Sequence, residues 1–233
     1  MAIAHESSTP FAKSTSATSH TIPHTNTSGD LLVAGFNCLS TAGDVVTGVT
    51  YNGVALTKVS AGAGVAANGR TANLWYLASP ATGTNDLVIT FSVSERTWGA
   101  VSSYTGADTT TPEDTSAVGT TPSGTTITNS ITTTADDVML YSSNYFNRGW
   151  SANGTNTTTV YLVDGNTHTM RSTTNVATAG ATSLSFTTTT SEVGASHVIG
   201  AFRSAPAAPA SNIKSISGLA KADIKSMAGL AIG

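Results

Sequence analysis

Two imidazoles stand four residues apart in His20-Thr-Ile-Pro-His24. On a helix that spacing supplies half of a metal site. Pro23 and the surrounding Thr and Ser make the segment extended instead, so the rings share a strand face about 13 Å apart. That is too far to share one ion, and a solvated or lightly packed pair is expected. His5, His168 and His197 have no Cys or carboxylate at ligand spacing. The paired acids Glu113-Asp114 and Asp136-Asp137 fall at turns or strand edges, where acids cap and solubilise. No Asp-x-Asp-x-Asp-Gly run marks a calcium loop. A glycosidase needs two carboxylates facing across a cleft, and nothing selects Glu95 or Asp108 for that work. Serines are abundant, yet no Gly-x-Ser-x-Gly elbow and no glycine-rich phosphate loop occur. The expectation is no catalytic residue, no metal and no cofactor: not an enzyme.

The remaining candidates bind rather than react. Asn144-Tyr-Phe-Asn-Arg-Gly-Trp150 carries three aromatics, two Asn and an Arg from a strand end into a loop. Such a mixture serves sugar stacking or a protein interface, so Tyr145, Phe146, Arg148 and Trp150 are the candidate contact residues. Trp75, Tyr76, Trp98 and Tyr104 lie inside strand patterns, where core packing is the default. Cys38 is the only cysteine; its strand-like surroundings predict a buried structural thiol. The C-terminus repeats itself. Ile213-Lys-Ser-Ile-Ser-Gly-Leu-Ala220 returns 11 residues later as Ile224-Lys-Ser-Met-Ala-Gly-Leu-Ala231. Lys214, Lys221 and Lys225 face one acid there, Asp223. Ile213, Ile216, Leu219, Ile224, Met227 and Leu230 are the apolar anchors expected of an assembly arm. Gly218 and Gly229 each weaken a helix by about 1 kcal/mol relative to Ala, so two short docking segments are expected rather than one long helix.

The elements that must position these residues are strands. Candidates run over 31–36, 45–51, 54–59, 72–77, 86–92, 99–104, 126–132, 137–144, 158–164, 168–174, 182–188 and 196–202, rich in Val, Ile, Thr, Tyr and Phe and punctuated by Gly, Asn, Asp and Pro. Asn52-Gly53 between alternating apolar residues is a type I′ hairpin signature, because both turn positions need positive φ. Asp164-Gly165-Asn166 is a second hairpin signal. Helical periodicity is nearly absent before residue 205. The pattern predicts an all-β, antiparallel sandwich, a jelly roll, with a short C-terminal extension. Gly29-Asp-Leu-Leu-Val-Ala34 and Ala135-Asp-Asp-Val-Met-Leu140 echo one another. The echo is short, and strand initiation explains it without duplication.

Ser28-Gly-Asp-Leu-Leu-Val-Ala-Gly35, Val49-Thr-Tyr-Asn-Gly-Val-Ala-Leu-Thr-Lys58, Leu74-Trp-Tyr-Leu77 with Pro80 and Gly83-Thr84, and Gly99-Ala-Val-Ser-Ser-Tyr-Thr-Gly-Ala107 with Thr111-Pro112 form an ordered series. The series resembles a widespread β-sandwich domain of bacterial surface proteins and phage virion proteins, over about residues 20–203. The doubled Ile-Lys-Ser-x-x-Gly-Leu-Ala resembles C-terminal segments of phage structural and tail-associated proteins. The resemblance implies a scaffold, and no catalytic residues come with it.

Charged residues are only 10% of the 233, against roughly 25% in average proteins. The net charge of −3 argues against nucleic acid, which needs a basic face. No run of 18 apolar residues is present, so no membrane insertion is expected. The N-terminus lacks the basic and apolar regions of a secretory signal. An uncharged Thr/Ser/Gly-rich β protein without an export signal suits a phage particle. The expected organisation is an extended N-terminal segment and first strand (1–28), a β-sandwich (29–203), a Pro/Ala linker (204–211) and the repeat arm (212–233). The expected function is a non-enzymatic virion structural protein: a head decoration, fibre or tail-associated subunit. It would partner other virion proteins and itself, as a trimer. The alternative is a carbohydrate-binding or adhesion module on a virion, cell surface or in the extracellular space, holding a surface glycan through the 145–150 loop.

Overall fold

A computed structural model describes residues 2–66, 69–121, 123–163, 167–192 and 194–207. The repeat arm, with Ile213, Ile216, Leu219, Ile224, Met227 and Leu230, lies outside the described residues. So does the turn at Asp164-Gly165-Asn166. Sixteen strands and no helix occur among the described residues: β1 (Ala4–Asn26), β2 (Leu31–Cys38), β3 (Val46–Tyr51), β4 (Val54–Ala55), β5 (Thr57–Lys58), β6 (Gly64–Val65), β7 (Thr71–Ala78), β8 (Gly83–Thr105), β9 (Glu113–Thr121), β10 (Gly124–Thr133), β11 (Val138–Tyr145), β12 (Trp150–Asn153), β13 (Thr157–Val163), β14 (Thr167–Ser172), β15 (Gly180–Glu192) and β16 (Ala195–Arg203). The protein is all-β and every strand pairing is antiparallel.

The first half is built on one long pair. β1 runs beside β8 from Ala4 opposite Thr105 to Asn26 opposite Gly83. Register shifts between Lys13 and Ser19 bend the pair where it passes from one wing of the sheet to the other. Beyond the bend, β3 pairs with residues 87–91 of β8, and β4 folds back on β3. Before it, β2 pairs with residues 97–104, followed by β7 and β5. Two strands expected at 86–92 and 99–104 are thus one continuous strand. The strand expected at 54–59 is instead divided. Asn52 and Gly53, at φ 49° and 77°, turn β3 into β4. Leu56 then points into the core, and β5 crosses to the other wing.

The second half repeats this order. β9-β16-β11-β14-β13 matches the first part of β1, the second part of β8, then β2, β7 and β5. β10-β15-β12 matches the second part of β1, the first part of β8, and β3. The echo at 29–34 and 135–140 therefore marks the same strand of two topologically equivalent halves. Strand initiation alone was expected there. Gly29 (φ 74°) and Asp137 (φ 56°) both hold the left-handed conformation that admits the chain into β2 and β11.

Three cores follow from strand alternation. Leu32, Ala34, Phe36 and Cys38 face the interior of the first half. Val138 and Leu140 face that of the second, with Ile127, Leu184 and Phe186. The opposite faces of the same strands meet each other: Leu31 and Val33 of β2 pack with Met139 and Tyr141 of β11, Leu74 of β7 and Phe202 of β16. The large sheets of the two halves are thus stacked face to face. This is why every residue of β2 and β11 is buried. Each fully buried Leu, Val or Phe contributes about 1.5–3 kcal/mol.

Candidate functional site

The 145–150 loop leaves the end of β11 and enters β12. Tyr145 and Phe146 are fully buried, which corrects their expected place on a contact surface. Phe146 packs edge to face on Phe186, ring centroids 5.3 Å apart, in the core of the second half. The Tyr145 hydroxyl accepts from Arg70 Nη1 at 2.5 Å and donates to Asn147 Oδ1. The Asn147 amide donates to the buried Glu192 at 2.8 Å. Thr189 N donates to Gly149 O at 2.7 Å. The loop connects β11 to β12 and is clamped onto the end of β15. Trp150 is half-buried against the same core and meets His168 at 6.5 Å. Arg148 is exposed, with Nε donating to Ser191 O at 3.3 Å. Asn147, Arg148 and the outer part of Trp150 are what the loop offers to solvent. Arg70, Asn147 and Glu192 were not singled out from sequence. They lie far apart along the chain, and no local pattern joins them.

The histidines expected to be solvated or lightly packed are buried. His20 Nε2 donates to Glu95 O at 2.8 Å. His24 bonds Thr9 Oγ1 at 2.9 Å through Nδ1 and lies against Tyr51. β1 alternates His20, Ile22, His24 and Asn26 inward, so a polar side chain occupies positions that an apolar one usually takes. Burial pulls His24, His168 and His197 down to about 4; for His24 the Glu6 charge opposes this. Cys38 is buried, and burial pushes its thiol far above the usual range. No group of three or more metal-ligating side chains occurs among the described residues.

One pole of the molecule gathers both ends of the described chain. Gly106 stands against the Ala2 carbonyl, and Ile3 joins the central core. Ala205 N donates to Gly106 O at 2.7 Å, and Ala107 bridges Ser204. Ser204 Oγ donates to Asp137 O. Arg203 donates to Asp114 at 3.0 Å through its guanidinium and to Pro112 O at 2.8 Å through its amide. Burial pushes the Asp114 carboxyl up, but hydrogen bonds from Thr134, Ala135 and Arg203 outweigh it and hold the group below its ordinary value. The last described residues are therefore tied down by several bonds, and Asp114 and Asp137 take part in that anchor. Comparison with known protein families, curated proteins and solved structures gives no match.

Proposed function

We propose that this protein is a non-enzymatic structural subunit of a phage virion, as a head decoration, fibre or tail-associated part. Its double body is carried and joined to neighbouring copies by the C-terminal arm. The observation that carries the reading is the exit at Ser204 and Ala205. There the chain is tied to Gly106 and Ala107 of the linker between halves and to Asp137, ahead of the basic, apolar repeat. An arm that must transmit load needs such a fixed root. Each half is read as a jelly roll. The support is the pairing of β1 with the whole length of β8, with both strands bending together from one wing to the other.

The test removes residues 212–233. The body should remain folded, because all three cores lie within residues 2–207. The shortened chain should stay out of particles and show only monomer mass. Normal incorporation at full copy number would reject the reading. A second reading, a glycan-binding module, is favoured by exposed Arg148 beside half-exposed Trp150. Glycan-array binding lost in Arg148→Ala would select it.

A further inference from the structure

Beside the exit lies an open depression of about 390 Å³, lined by Ser60 and Tyr76 from the first half and residues 110–114 from the second. That volume falls in the range of ligand pockets, roughly 300–1,000 Å³. The half-buried Tyr76 ring, packed on Phe202 at 5.6 Å, and Pro112 supply apolar surface. Glu113 Oε1 is fixed by the Ser60 amide and hydroxyl at 2.9 and 2.8 Å. The Asp114 side chain is fully buried and paired with Arg203, so it offers the depression no free charge. Glu113 is the carboxylate that the lining offers to a cation.

We propose that this depression receives an Ile-Lys-Ser-x-x-Gly-Leu-Ala segment from the arm of a second copy of the chain. The inference rests on the reading of 212–233 as an assembly arm. The charges are complementary. Three of the chain's ten cations, and one of its thirteen acids, lie in the arm. Residues 1–207 are left with seven cations against twelve acids. Each repeat places one Lys directly after an Ile, which suits Glu113 beside the Tyr76 ring. The occupant is a neighbour's arm rather than the chain's own. The chain leaves beside the depression at Arg203, whose amide donates to Pro112 O, and the linker carries Pro206 and Pro209. Ala205 is tied to Gly106, so a repeat of the same chain would have to turn back within residues 206–211, which two prolines oppose. Two repeats per arm let one chain engage two neighbours, which closes or extends an assembly.

The experiment measures self-association of the full-length chain by sedimentation, for wild type, Glu113→Arg and Thr110→Arg. Thr110 is exposed and its side chain makes no described hydrogen bond, so this second variant adds charge without removing structure; thermal melting checks both. Each should weaken association about tenfold or more. Lys214→Glu with Lys225→Glu should weaken it similarly, and combining those changes with Glu113→Arg should restore it. Unchanged association in Glu113→Arg and Thr110→Arg, while removal of 212–233 abolishes it, overturns the docking site and leaves the arm reading standing. A full-length chain that stays monomeric, or association that survives removal of the arm, overturns both.

Discussion

Gly35 of β2 lies flat against the ring of Tyr141 of β11: a Cβ at Gly35 would come within 2.7 Å of Tyr141 Cε1. The two stacked sheets approach as closely as they do because one contributes no side chain where the other places an aromatic ring. Gly35→Ala should cost about 1–3 kcal/mol by overpacking, measured by urea unfolding. Tyr141→Leu in the same chain should recover part of the loss. An additive double mutant would show that the two residues do not share one contact.

Asn37 should matter as much through polar contacts. Its Nδ2 donates to Asn144 O at 2.5 Å and Thr167 Oγ1 at 3.1 Å, and its Oδ1 accepts from Ser143 Oγ at 3.2 Å, all across the contact between halves. Asn37→Ala strips these buried groups of a partner and should cost about 1–3 kcal/mol. A melting temperature equal to wild type would contradict this account.

Acid should unfold the protein through its buried imidazoles. His24, His168 and His197 are held near 4, against 6.5 in an unfolded chain. Between those values the unfolded state binds more protons, so stability falls as pH drops from 6.5 toward 4 and is level above 7. Each imidazole contributes on the order of 3 kcal/mol to that loss. Against a net stability of roughly 5–15 kcal/mol that loss is a large fraction, so the melting temperature should fall steadily as pH drops from 6.5 toward 4. A melting temperature constant from pH 7 to 4.5 would show that these rings are not buried in neutral form.

Cys38 should resist modification. Its side chain is fully buried in the core of the first half. A thiol reagent should label it only at the rate of global unfolding, and immediate labelling after addition of denaturant is the positive control.

The 145–150 loop should divide by residue. Tyr145→Phe removes the hydroxyl between Arg70 and Asn147 and should cost about 1–2 kcal/mol. Arg148→Ala should change stability by less than about 0.5 kcal/mol. Equal losses at both positions in denaturant titrations would place Arg148 in the clamp as well.

What the sequence settled by itself is local. Runs of β-forming residues over 31–36, 72–77 and 196–202 predicted β2, β7 and β16, and they are near-continuous rather than alternating because both faces of these strands are covered. Asn52-Gly53 predicted its turn, because the positive φ that both positions need is a local preference of Asn and Gly. The first part of β1 could not be read. Its partner is β8, and its Ser, Thr and Lys side chains mostly face outward, leaving no apolar period. The burial of His20 and His24 was equally hidden, since Thr9, Tyr51 and Glu95 close over them only after β1 folds onto β8. Tertiary structure alone decided the stacking of two equivalent halves. Leu31, Val33, Met139 and Tyr141 gain their partners across more than a hundred residues of sequence. The same long-range closure buried Tyr145 and Phe146, brought Ser60 and Tyr76 beside Glu113, and placed the chain exit at their edge. A hydrophobic pattern tells a strand which face to cover, but only the assembled sheets determine what covers it.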